Sequence, residues 1–147
     1  MALCFHPDYI VVGEMRGSET DSAQEAARTG HTVITTIHSN SCESTWRRMG
    51  TLCKRKYPNV DDKVILNLVT EAFPIVVYAK RLENKQRRIM EIMECEILPD
   101  GTRKYHSLYQ YRITENRMEI GFMRMLSGTF GYRYVLPYLW ATLFLLP

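Results

Sequence analysis

The first apolar run of the chain, Tyr9-Ile-Val-Val, has no polar break and closes at Gly13. Continuous runs of this kind fit a strand buried on both faces, as in a parallel sheet. Ser18 or Thr20 can cap a helix over 21–28, which stops at Gly30. Thr32-Val-Ile-Thr-Thr-Ile37 is β-branched throughout and reads as a second buried strand. Strand, helix and strand follow one another within residues 9–37, which predicts a βαβ unit with a right-handed crossover.

The period then changes. Ser41 or Ser44 caps a stretch in which Trp46, Met49, Cys53 and Tyr57 recur at helical spacing, and Pro58-Asn59 ends it. Its other face is basic, with Arg47, Arg48, Lys54, Arg55 and Lys56. Asp61 caps a further helix with Val64, Ile65, Leu68 and Val69 on one side. From Pro74 onward strands dominate. Pro74-Ile-Val-Val-Tyr-Ala is one. Glu83-Asn84-Lys85 is a turn. Residues 88–97 form the next strand, with Met93, Cys95 and Ile97 on one face and Glu94 and Glu96 on the other. Asp100-Gly101 is a hairpin signal before a return over 104–112. The predicted class is α/β at the start, passing to helices and an antiparallel meander.

Composition adds bounds. With 147 residues, 46% apolar and 24% charged, the chain falls in the globular range of one ordinary domain. A net charge of +3 does not call for a specific nucleic-acid partner. Cys4, Cys42, Cys53 and Cys95 form no CxxC pair and read as free, buried thiols of a reducing compartment. No basic segment followed by an apolar one resembles a signal peptide. The uncharged tail 134–147 is shorter than the roughly 20 residues that span a bilayer.

Candidate chemistry gathers at the strand ends. Glu14 follows the first strand at its C-terminal edge, where open α/β sheets bind ligands. A carboxylate there orients a water for attack on a phosphate or holds Mg²⁺ through water, or else is an exposed strand-end acid. His31 and His38 bracket the second strand, and parallel pairing would put His38 level with Glu14. A zinc site from Glu14, His31 and His38 is conceivable, but the two histidines sit across a strand about 20 Å long and so at opposite edges. The basic helix face is a solvated surface, an interface or a phosphate contact. "ENKQRR" over 83–88 is a charged hairpin turn.

Taken together, "ALCFHPDYIVVGEMRGSET" resembles the Walker B region of the type II/IV secretion-system ATPases. "ARTGHTVITTIHSNS" resembles the histidine box of the same family, in the same order and at a matching separation. The segment 69–111 is similar to the tight-adherence, Flp-type pilus-assembly branch. The resemblance covers about residues 2–116 and implies a partial RecA-like P-loop NTPase core. It makes Glu14 the Walker B glutamate that polarises the attacking water. Arg16 and Glu19 become the charged pair shaping the site or a subunit contact. His31 falls in the opening turn of the box, and Thr36 and His38 face the γ-phosphate. It also implies ATP and Mg²⁺ in the complete protein, a hexameric ring of sibling ATPase subunits, and an inner-membrane platform as partner. The expected location is cytoplasmic, peripheral to the inner face of the cell membrane.

Two departures follow. None of the eight glycines is followed by lysine, so the phosphate cradle Gly-x-x-x-x-Gly-Lys-[Ser/Thr] is not in this sequence. No nucleotide is therefore expected to bind tightly to the chain alone, which reads as the C-terminal part of such an ATPase, from a truncated or split gene. After about Asn116 the resemblance fades, and 117–147 forms a divergent apolar tail. Its origin is a shifted reading frame or a segment that docks on a partner. Two other readings are a catalytically silent assembly module and an unrelated metal-dependent hydrolase using Glu14 and His38.

Overall fold

The structure, a computed structural model, describes residues 5–114 and 117–119. The expectations placed on the apolar tail lie outside the described residues. β1 (Tyr9–Val12), α1 (Glu19–Arg28) and β2 (Thr32–Thr35) form the opening unit. β1 and β2 pair in parallel, from Tyr9 opposite Thr32 to Val12 opposite Thr35. Then come α2 (Cys42–Lys54), α3 (Asp62–Ala72) and an antiparallel sheet of β3 (Ile75–Arg81), β4 (Arg87–Ile97) and β5 (Arg103–Gln110). A short pair, β6 (Arg112–Thr114) and β7 (Arg117–Glu119), follows. The mixed α/β class read from the sequence is the class observed.

Local chemistry explains most of the boundaries. α2 starts on a capping box: Ser41 Oγ accepts from the Ser44 N–H, and Ser44 Oγ accepts from the Ser41 N–H. Both serines suggested by the sequence therefore act together. Asp61 caps α3 by accepting from the Lys63 N–H at 2.8 Å. α1 departs from expectation, since Ser18 occupies the N-cap position without a side-chain cap bond. The Glu19 carboxylate instead accepts from the N–H groups of Arg16 and Gly17, reaching back over the turn before the helix. At the other end, Gly30 N–H donates to Ala27 O and His31 N–H to Ala26 O. This is a Schellman closure, and it needs the left-handed residue that Gly30 supplies at φ 95°. Thr29-Gly30-His31 is thus the turn that stops α1 and launches β2.

α2 and α3 pack on the three-stranded sheet. Trp46, Met49, Cys53, Ile65, Val69, Phe73, Val76 and Cys95 form the core, and Met15 joins it from the loop after β1. Trp46 is fully buried, donates from Nε1 to Phe73 O at 2.7 Å and meets the Tyr105 ring at 5.5 Å. Lys56 Nζ lies 2.6 Å from the nearly buried Asp21 Oδ2, tying α1 to the loop after α2. Two sequence expectations shift. Tyr57 lies beyond the end of α2 and is exposed, and Val64 is exposed because Ile65 and Val69 take the core-facing stripe of α3.

The larger difference concerns β1. The run read as buried on both faces has Tyr9 58% and Val11 60% exposed. Val12 and Val33 pack against the core on one face, while Tyr9 and Val11 on the other are left largely exposed. Apolar residues on both faces of a two-stranded unit are a mismatch that a covering partner would resolve.

Among the described residues the free thiols are those of Cys42, Cys53 and Cys95, all buried. Burial pushes the Cys53 and Cys95 thiols up to about 11, and the Cys42 thiol higher still. Thiolates are the reactive form, so alkylation of these three at neutral pH is expected to be slow until the chain unfolds. Mass-spectrometric labelling along a urea series checks this. Rapid modification of Cys42 without denaturant would contradict it.

Candidate functional site

The loops leaving β1 and β2 at their C-terminal ends are stitched together. Met15 N–H donates to Thr36 O at 2.9 Å, and Thr36 Oγ1 donates to Gly13 O at 2.5 Å. Met15 is fully buried, which anchors the first loop and aims its neighbour Glu14 out of the sheet edge. Glu14 is only partly exposed, at 26% of its side chain. One oxygen, Oε2, lies 2.6 Å from an Arg16 guanidinium nitrogen. The other, Oε1, lies 3.2 Å from His38 Nε2. That approach is not aligned as a hydrogen bond, and Oε1 is a buried carboxylate oxygen without a hydrogen-bond partner. We read the His38 contact as close and electrostatic, because distance alone does not make the bond.

The hydrogen bond from Arg16 holds the Glu14 carboxyl below its usual range; burial opposes this, and the charges of Arg16, His38 and Arg48 add to it. Glu14 is accordingly an ionised acceptor. Oε1 has lone pairs to offer a water, while Arg16 keeps the proton affinity of the group low. Glu19, whose carboxyl is also lowered, chiefly by the backbone N–H of Arg16, fixes the loop that carries Arg16.

Glu14, Arg16, Glu19, Thr36 and His38 are therefore brought together. His31 is not. The β1–β2 ladder puts it before Thr32, at the end away from Glu14. Its backbone serves the α1 closure, and its buried Nδ1 has no hydrogen-bond partner. A metal held directly by Glu14, His31 and His38 does not fit this placement. Among the described residues no group of three or more His, Cys, Asp or Glu could hold a metal ion.

Beside this cluster is a cleft of about 350 Å³ lined by Arg16 and, from α2 and the turn before it, by Ser39, Asn40, Ser44, Arg48, Thr51, Leu52 and Arg55. The sequence showed a basic face on α2 but gave no means of separating its members. Arg47 pairs with Glu43, Lys54 with Asp62 at 2.7 Å, and Lys56 with Asp21. The guanidinium groups of Arg48 and Arg55 make no ion pair among the described residues, and these are the two that line the cleft.

A carboxylate, a threonine and a histidine are collected at the C-terminal edge of the parallel strands, the edge at which open α/β sheets generally bind ligands. The chain belongs to the Type II/IV secretion system protein family, which matches residues 1–117. It is 33% identical over 129 residues to the type IV pilus assembly ATPase PilB of Thermus thermophilus, covering 86% of this chain and 13% of that protein. It is 33% identical over 91 residues to the conjugal transfer protein TrbB of Rhizobium radiobacter, covering 61% of this chain and 27% of that one. The crystal structure of the VirB11 ATPase from the Brucella suis type IV secretion system superposes with a TM-score of 0.58 at 26% identity, over 63% of this chain and 30% of that chain. The chain thus spans a minor part of each of these proteins.

Proposed function

We propose that the chain carries the water-activating side of an ATPase site that powers pilus assembly or secretion. The observation that carries this reading is the buried Glu14 Oε1 at the parallel strand ends, which makes no hydrogen bond, with His38 3.2 Å from it and Thr36 in the adjoining loop. Glu14 orients the attacking water. His38 and Thr36 lie where the loss of a terminal phosphate changes the charge they face. Arg16 and Glu19 brace the loop, and His31 serves through its turn. ATP with Mg²⁺ is the substrate of the complete protein, and Mg²⁺ is held near Glu14 through water rather than directly. These residues fit the water-handling end of such a site. They do not fit its phosphate-holding end, since no glycine of the chain precedes a lysine.

The partners that follow are sibling subunits in a hexameric ring and an inner-membrane platform. The location is the cytoplasmic side, peripheral to that membrane, and the branch is the tight-adherence one suggested by residues 69–111. Among the described residues no helix is long and apolar enough to cross a membrane. A second reading, a silent assembly module that docks on ring subunits, is favoured by the exposed Tyr9 and Val11 on one face of β1.

Calorimetry of the chain with ATP and Mg²⁺ tests the assignment of the cradle to other residues. The expected result is no binding tighter than millimolar, because positioning and charge neutralisation of the phosphates depend mainly on that cradle. A dissociation constant near 1 μM, about −8 kcal/mol, would contradict it.

A further inference from the structure

We propose that the cleft between Arg16, Arg48 and Arg55 binds a phosphate dianion. Of the five basic residues on and just after α2, three are already paired with carboxylates and two are not. The two left over converge on one cleft and are joined there by Arg16 from the loop after β1. Arg48 and Arg55 are seven positions apart on the helix and its C-cap, so they share one face. No carboxylate lines the cleft, and Asn40 adds a neutral amide.

The charge count selects the ligand. Two unpaired guanidinium groups match a phosphate, which carries about −1.5 to −2 at neutral pH, better than the single charge of one carboxylate side chain. Guanidinium forks bind tetrahedral oxyanions through paired N–H donors. The volume of about 350 Å³ admits such a group with its water.

The site is coupled to Glu14 through Arg16, which lines the cleft and also bonds Glu14 Oε2. A phosphate in the cleft competes for that guanidinium and releases Glu14. This consequence rests on the proposed role of Glu14, whereas phosphate binding does not. A hydrolysed terminal phosphate that moved there would leave Glu14 altered for the next turnover.

Equilibrium dialysis of the 147-residue chain with radiolabelled inorganic phosphate, at fixed ionic strength, tests the site. The expected result is saturable binding in roughly the millimolar range, unaffected by exchanging chloride for acetate. The double variant Arg48→Gln/Arg55→Gln is expected to weaken it about tenfold or more, and Arg47→Gln to leave it unchanged. Thr51→Glu, which puts a carboxylate into the cleft from an exposed helix position, gives the same loss without removing an arginine. Circular dichroism melting confirms that each variant is folded. Non-saturable binding, or saturable binding unchanged in both the double variant and Thr51→Glu, would overturn the proposal. So would a short oligoglutamate that binds through Arg48 and Arg55 where phosphate does not, since that would assign the cleft to an acidic partner segment. No nucleotide enters the experiment, so its failure leaves the reading of Glu14 intact, and the reverse holds too.

Discussion

Glu14→Gln is expected to lower ATP turnover by about 10²–10⁴ while leaving nucleotide affinity within a few fold, in a graft that places residues 1–117 into the corresponding segment of the Thermus thermophilus relative. The substitution keeps the size of the side chain and one oxygen acceptor. It removes the negative charge that Arg16 stabilises and replaces one carboxylate oxygen with an N–H₂ donor. A water facing Oε1 would then lose its acceptor half the time or more, depending on which way the amide turns. On the proposed reading the missing interaction is made with the attacking water rather than with the nucleotide, so the loss is expected to fall on kcat. A Kd for nucleotide measured alongside separates the two. Turnover within threefold of the unsubstituted graft would remove Glu14 from the mechanism.

Trp46→Ala is expected to destabilise the chain by about 3–5 kcal/mol. The indole is fully buried and stacks obliquely on Tyr105, and its Nε1–H is the partner of Phe73 O. That carbonyl sits at the C-cap of α3, immediately before Pro74, whose own carbonyl accepts from Cys95 N–H at 2.8 Å. One side chain thus locks α2 to the corner where α3 becomes β3. Truncation leaves both a cavity and an unsatisfied carbonyl, and domains of this size have only about 5–15 kcal/mol to lose. Trp46→Phe keeps most of the packing and is expected to cost less, chiefly the hydrogen bond. Urea unfolding followed by circular dichroism measures both. A cost under about 1 kcal/mol for Trp46→Ala would mean that Trp46 does not hold this corner.

Where local chemistry decides, the chain could be read directly. Ser41 and Ser44, Asp61, Gly30 and Asp100-Gly101 mark helix and turn boundaries through bonds within a few residues of themselves. The parallel pairing that brings Glu14 beside His38 was legible too, because two apolar runs separated by one helix leave few alternatives. Reading failed locally at Ser18, which looked like the cap of α1 but makes no side-chain cap bond, while its neighbour Glu19 accepts from the N–H groups of Arg16 and Gly17. It failed more widely where the outcome depends on distant partners. Tyr9 and Val11 looked buried because sequence reports a residue's character and not whether anything covers it. The basic stripe on α2 looked uniform. Only the fold shows that Glu43, Asp62 and Asp21 reach three of its members and leave Arg48 and Arg55 to the cleft.

The central claim is that residues 1–117 supply the water-activating side of an ATPase site once a phosphate cradle is provided. Steady-state ATP turnover of the unsubstituted Thermus graft tests it most directly. Hydrolysis within about tenfold of the intact relative is expected, from a graft that binds ATP as the relative does. A graft that folds, binds ATP with the same affinity and fails to hydrolyse it would contradict the account.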